Sequence, residues 1–259
     1  MGFVTIDGLK IHYLTPCDPS GKRGHRIMYI HGTGYCSEIW RRHMDAISDS
    51  HTPVAIDLPG HGLSEGRGFR GTADYSNFVV KLAESLGWGR FVIAGHSLGG
   101  AIAITTAVYN HEMLKGMILI DTGARLRVHP DILKGALSAA RSGKGAAIDP
   151  SWAFAKATPN SVIESTLAMM AKTDPWVTYN DWICDDSFDF TTRIKDIHIP
   201  TVAICGEEDK LTPVKYHSFL KEKMPNCTLK VIEGAGHFVM VEKLEEFTRA
   251  VKDFLNGIE

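Results

Sequence analysis

The sequence predicts an α/β fold: a mostly parallel sheet with helices on both faces. Short β-rich runs alternate along the chain with segments whose apolar residues recur at helical spacing. At 259 residues and 44% hydrophobic content the chain is long enough to bury one large core, so no second domain needs to be invoked. The third observation is Gly95-His96-Ser97-Leu98-Gly99-Gly100, set between an apolar run and a helix-like segment.

Residues 3–6 and 10–14 read as strands joined by a turn at Asp7-Gly8, and residues 26–30 and 54–57 as two further strands. Tyr75, Phe78, Val79, Leu82 and Leu86 then form one apolar stripe of a helix. Residues 91–94 read as a buried strand, 101–108 as a helix, and 117–120 as a strand ending at Asp121. Between about 122 and 193 no buried β run occurs, while helical, Ala-rich and aromatic segments do. This predicts a helical insertion, residues 122–193, laid as a lid over a core made of 1–121 and 194–259. The alternation resumes with a strand at 201–205, a helix at about 213–224 and a strand at 228–232. The last helix carries Leu244, Phe247, Val251, Phe254 and Leu255 on one stripe.

The 28 basic and 30 acidic residues leave a net charge of -2, and no basic stripe is interleaved with aromatics, which argues against nucleic acid or an anionic membrane as partner. No apolar stretch is long enough to span a bilayer, and residues 1–7 lack the pattern of a signal peptide, so a cytoplasmic protein is expected. Cys17, Cys36, Cys184, Cys205 and Cys227 are scattered with no C-x-x-C pair, as for reduced thiols. The twelve histidines include no H-E-x-x-H and no close ligand pair followed by an acid, so no metal is expected.

The chemistry centres on Ser97. A G-x-S-x-G between strand and helix suggests a nucleophile elbow, a sharp turn presenting the serine at the sheet's C-terminal edge. Gly95 and Gly99 would leave room where a side chain would press on backbone. Taken alone, the motif also suits an ordinary strand-to-helix turn. A serine nucleophile needs a base, and the base an orienting acid. His237, in Gly234-Ala235-Gly236-His237-Phe238 after the strand at 228–232, is the best-placed base. Asp209 follows the strand at 201–205 and is the favoured acid; Asp121 is its main competitor, with Glu207 and Glu208 weaker ones. The order Ser97, Asp209, His237 is the one expected for this motif. The backbone N–H groups of Leu98 and of Thr33, in His31-Gly32-Thr33-Gly34, are the expected oxyanion donors.

These segments, with Asp57-Leu58-Pro59-Gly60-His61-Gly62-Leu63-Ser64, make the chain resemble the α/β-hydrolase fold superfamily from first strand to last helix. The resemblance implies eight strands with the second antiparallel, a cap inserted after the sixth, and an active site between cap and sheet. Haloalkane dehalogenases and epoxide hydrolases similar to this chain use aspartate at the elbow, so Ser97 argues against both. The turn at 57–64, His61 and His96 are read as structural.

The expected function is a serine carboxylic-ester hydrolase, acting without cofactor on a small or medium, largely uncharged ester or lactone. Trp152, Phe154, Met169, Met170, Trp176 and Trp182 of the insertion are candidates for an apolar substrate pocket. A carbon–carbon bond hydrolase, an enol-lactonase, an acyltransferase or a lyase would share every motif. A noncatalytic receptor that keeps the pocket is the alternative from another class. Nothing in the sequence specifies an oligomeric state.

Overall fold

Asp7 and Gly8 both take positive φ, 51° and 82°, and reverse the chain between β1 (Gly2–Ile6) and β2 (Leu9–Leu14). Two consecutive residues of that handedness match the twist of the flanking strands, so the hairpin expected at this dipeptide forms. The computed structural model describes residues 1–21, 23–143 and 148–258. Residues 22, 144–147 and 259, which fall within the expected core and insertion, lie outside the described residues.

The remaining strands are β3 (Arg26–Ile30), β4 (Thr52–Ile56), β5 (Phe91–His96), β6 (Leu114–Ile120), β7 (Thr201–Gly206) and β8 (Cys227–Ile232). They pair in the order β1-β2-β4-β3-β5-β6-β7-β8, with β2 antiparallel to both its neighbours and every pair from β4 to β8 parallel. Parallel neighbours need crossovers, and helices supply them. They are α1 (Arg41–Ile47), α2 (Thr72–Ser85), α3 (Leu98–Tyr109), α4 (Pro130–Ser142), α5 (Pro150–Ala153), α6 (Asn160–Met170), α7 (Pro175–Ser187), α8 (Val214–Lys223), α9 (Val239–Glu242) and α10 (Leu244–Asn256).

Successive strand residues point to opposite faces, and the core divides accordingly. Met28, Ile30, Val54 and Ile93 join the buried residues of α2, α3 and α8 on one face. Ile27, Tyr29, Ala55 and Val92 join those of α1 and α10 on the other. The stripes foreseen on α2 and α10 are the sides that are buried: Tyr75, Phe78, Val79 and Leu82 on one, Phe247, Val251 and Leu255 on the other. Helix α1 was not foreseen, because its seven residues offer only Met44, Ile47 and a buried histidine, His43, to the core.

Helices α4, α5, α6 and α7 lie between β6 and β7. Where the chain leaves and re-enters, Arg125 and Asp189 form an antiparallel bridge, and the Phe190 amide donates to the Ala124 carbonyl at 2.8 Å. Proline opens three of these helices. Before it stands His129, Asp149 or Asp174, whose side chain accepts from the amide two residues on and caps the helix. Helix α7 packs against α4 and against α3, which joins this segment to the sheet. Among the described residues no helix is long and apolar enough to cross a membrane, and no group of three or more His, Cys, Asp and Glu side chains could hold a metal ion.

Candidate active site

Ser97 stands between β5 and α3 with φ 53° and ψ −116°, a left-handed conformation that costs a non-glycine residue roughly 1–3 kcal/mol. The surroundings hold it there: its amide donates to the Ile120 carbonyl at 3.0 Å, and its carbonyl accepts from the Thr122 hydroxyl at 2.8 Å. A Cβ at Gly95 would overlap the Gly99 carbonyl, and one at Gly99 would overlap the Ile30 carbonyl. Both glycines are therefore demanded by backbone contact. Leu98, the first residue of α3, has an amide with no acceptor within its own helix, at the positive end of the helix dipole.

His237 Nδ1 and Asp209 Oδ2 are 2.9 Å apart, both side chains nearly or fully buried. The Asp209 carboxylate accepts from the Leu211 and Thr212 amides, at 2.8 and 2.9 Å, and from the Thr212 hydroxyl at 2.6 Å. Burial pushes its pKa upward, but the His237 charge and the hydrogen bonds from His237 and Thr212 outweigh it and hold the value at about 2. Asp209 is thus an ionised acceptor, and Nδ1 carries the proton it receives. Asp121 is fully buried as well, yet its oxygens accept from the Gly206 and Val239 amides, at 3.0 and 3.1 Å, and not from His237. It ties the ends of β6, β7 and α9 together.

Thr33 and Gly34 lie beside the elbow: a Cβ on neighbouring Gly32 would come within 3.1 Å of Ser97 Cβ. Helix α7 fixes this loop from the other side. The Thr33 hydroxyl donates to Asp185 Oδ2 at 2.6 Å and the Gly34 amide to Asp181 Oδ2 at 2.9 Å. His96 and His61 are buried in supporting positions, as expected. His96 Nε2 donates to the His237 carbonyl at 2.7 Å, and His61 Nε2 to Asp181 at 2.8 Å. In the turn at 57–64, Asp57 accepts from His12, the Ser37 amide and the Leu63 amide; burial raises its pKa, but these bonds lower it to about 2.

Ser97 and His237 line one cavity of about 390 Å³. Of the six aromatic and methionine candidates, Trp152 and Trp182 reach it. The other four do not. Phe154 is buried in a stack with Phe238, ring centroids 5.0 Å apart, and Met170 is buried against Gly34. Met169 is half-buried against the core, and Trp176 is 47% exposed with its ring edge-on to Tyr179. Their apolar character serves packing of the inserted helices. The rest of the lining includes Leu126 and Ile132, with Arg127, Lys210 and Lys215.

Three supporting carboxylates escaped the sequence reading. Glu242 Oε1 accepts from the Gly236 and Phe238 amides, at 3.0 and 3.1 Å, and Oε2 from the Ala155 amide and the Thr158 hydroxyl, so it secures the His237 loop against the inserted segment. Asp181 and Asp185 are the others. Their signal is the spacing of two acids four residues apart on a helix face that also carries Trp182 and Cys184 to the interior.

The chain is similar over nearly its whole length to known proteins. A solved thermophilic esterase is 34% identical, with a TM-score of 0.83, over 100% of this chain and 98% of that one. A 2-hydroxy-6-oxo-6-(2'-aminophenyl)hexa-2,4-dienoic acid hydrolase from Metapseudomonas resinovorans is 24% identical over 98% of this chain and 90% of its own. The dihydrolipoyllysine-residue acetyltransferase component of an acetoin cleaving system from Cupriavidus necator is 25% identical over 98% of this chain and 69% of that protein. The model of the alpha/beta hydrolase family matches residues 27–250, from β3 into α10, and the chain belongs to that family.

Proposed function

We propose that the chain is a serine-dependent carboxylic-ester hydrolase, with residues 122–193 as a cap over the core of 1–121 and 194–259. The observation that carries the reading is the strained, glycine-enclosed Ser97 sharing a cavity with His237, whose far nitrogen is held by an ionised Asp209. The 34% identity to an esterase supports the ester as the bond attacked.

In this scheme Ser97 Oγ attacks the carbonyl carbon while His237 Nε2 takes its proton, and Asp209 stabilises the imidazolium that results. The Leu98 and Thr33 amides receive the oxyanion, each contributing ~3 kcal/mol to the transition state. Collapse of the tetrahedral species passes the proton from His237 to the departing alcohol. Water, activated by the same histidine, then cleaves the acyl-enzyme. No cofactor takes part.

The test is labelling with an active-site fluorophosphonate followed by mass analysis of the modified peptide, alongside turnover of aryl esters, lactones and β-diketones. The expected result is one adduct, on Ser97, and ester turnover abolished in Ser97→Ala. An unlabelled Ser97, or brisk β-diketone cleavage without ester turnover, overturns the reading.

A further inference from the structure

Three basic side chains stand around the open end of the Ser97 cavity, none in a salt bridge among the described residues, with Asp149 near Lys210 and Asp189 near Arg127 acting only at longer range. Arg127, Lys210 and Lys215 all line it and all are exposed. Among the described residues none of the three has a carboxylate within 4.0 Å, whereas Arg125, two residues away, is paired with Asp189 at 3.7 Å. Two of them are nonetheless anchored. Lys210 Nζ donates to the Ser151 carbonyl at 2.8 Å and Arg127 Nη1 to the Asp186 carbonyl at 3.3 Å. A carbonyl fixes such a head group without neutralising it, and the remaining N–H donors of each stay available.

Lys215 adds a different argument. It lies in the first turn of α8, which contains no acidic residue, and a cation there opposes the helix dipole. The chain thus keeps a locally unfavourable charge beside a cavity whose wall already includes the α8 entry residues Leu211, Thr212 and Pro213.

The one acid in the lining does not offset these charges. Asp185 is buried, its Oδ2 takes the Thr33 hydroxyl, and its Oδ1 has no partner. Burial, with the nearby charge of Asp181, raises its pKa well above the usual carboxylate range, which disfavours a negative charge on that wall. Leu126, Ile132, Trp152 and Trp182 add apolar surface to the lining.

We propose that this cavity takes an ester or lactone that itself carries a carboxylate, with the scissile carbonyl at Ser97 and the carboxylate at the mouth among Arg127, Lys210 and Lys215. The proposal rests on the ester-hydrolase reading and replaces the largely uncharged substrate expected from sequence. A half-ester of an aliphatic dicarboxylic acid has the required form: charge, apolar spacer, reactive carbonyl. Each partly exposed contact contributes about two- to fivefold to binding, so the three together give on the order of tenfold or more.

The experiment compares mono-4-nitrophenyl adipate with its neutral methyl ester, a pair that differs only at the distal carboxylate, free in one and methylated in the other, with 4-nitrophenolate release as the readout for both. At low salt the acid is expected to exceed the neutral ester in kcat/KM by about tenfold or more. That ratio should fall by about tenfold in Arg127→Gln/Lys210→Gln/Lys215→Gln, and should shrink as salt is added. A ratio of one or less in the native protein, or a ratio untouched by the triple substitution, overturns the proposal while ester hydrolysis itself stands. If neither ester is turned over, calorimetry on Ser97→Ala decides: monoethyl adipate binding no tighter than diethyl adipate overturns it, and at least tenfold tighter upholds it.

Discussion

Asp181 Oδ2 accepts the Gly34 amide at 2.9 Å, so helix α7 holds the loop that carries Thr33. The same carboxylate accepts from the Tyr75 hydroxyl at 2.6 Å and from His61 Nε2 at 2.8 Å. His61 Nδ1 lies 3.2 Å from the Pro59 carbonyl, so both ring nitrogens face acceptors, an arrangement that favours the protonated ring. Burial lowers the His61 pKa, but the Asp181 charge overcomes it and the net shift is upward. One turn further along α7, Asp185 takes the Thr33 hydroxyl. The oxyanion loop proposed for the reaction is thus positioned by side chains of α7.

Removing the Asp181 charge should therefore act on two levels. Asp181→Asn leaves a buried imidazolium without its counter-ion, which costs about 3–5 kcal/mol of stability. At temperatures where the variant remains folded, kcat should fall roughly ten- to hundredfold with KM little changed, because a displaced oxyanion donor is missed chiefly in the transition state. Asp185→Asn should be far milder: the amide oxygen still accepts from Thr33, and burial already disfavours charge on the group it replaces. A loss of melting temperature alone in Asp181→Asn, with kcat intact, would leave the carboxylate a purely structural role.

Two more buried aspartates can be separated by the same substitution. Asp209→Asn should keep the fold and lower kcat by about 10⁴, since an asparagine favours the wrong tautomer of His237 and cannot balance the imidazolium. Asp121→Asn places amide hydrogens against the Gly206 or Val239 N–H, a mismatch costing about 1–3 kcal/mol in stability. Its kcat loss should be far smaller than that of Asp209→Asn. The reverse ranking in stopped-flow kinetics and thermal melts would move the orienting role to Asp121.

These residues also mark what the sequence could convey. Strands, elbow, hairpin and helical stripes were legible because each is a local pattern: a run of apolar residues, a positive-φ dipeptide, a period of 3.6. Asp209 could be favoured over Asp121 only by its loop, and the distinction became physical when Asp121 was seen to face two amides. Phe154 and Trp152 stand two residues apart in one segment, yet one stacks on Phe238 while the other lines the cavity. No local pattern sorts such a pair, because the insertion's apolar side chains must pack on one another, on the core and around the cavity. Glu242, Asp181 and Asp185 were illegible for a related reason. Asp181 and Asp185 act on a loop distant in sequence, and Glu242 joins the neighbouring His237 loop to the distant Ala155 and Thr158, so these roles exist only once the chain has folded.

The wall tryptophans give a prediction about size. Trp182→Ala opens the cavity on its apolar side, so the preferred acyl chain of a graded ester series should lengthen, each methylene that fits being worth roughly tenfold or more in kcat/KM. Trp176→Ala removes a half-exposed ring away from the cavity and should leave both chain-length preference and stability within about 0.5 kcal/mol of the parent. An unchanged profile in Trp182→Ala would mean that the acyl group lies elsewhere.

Acid should unfold the protein through histidines the reaction does not use. Burial lowers the pKa of His43 to about 3 and those of His31 and His217 to about 4. His43 bridges the Tyr29 and Thr248 hydroxyls at 2.8 and 2.9 Å, and His31 Nε2 accepts the Leu58 amide at 3.1 Å. Each is neutral when folded and free to bind a proton near pH 6.5 when unfolded. Their contribution is therefore complete above that value and is lost as the pH falls toward the folded-state values, at about 1.4 kcal/mol per unit for each group. Asp121 and Asp185, whose pKa values burial raises, act in the opposite sense and reduce the net slope. Urea unfolding from pH 7 to pH 4 should show stability falling with acid, and His43→Gln should lower the slope by about one proton over that window. Parallel curves for the parent and His43→Gln would show that the ring binds its proton equally in both states, and would remove it from the account of acid sensitivity.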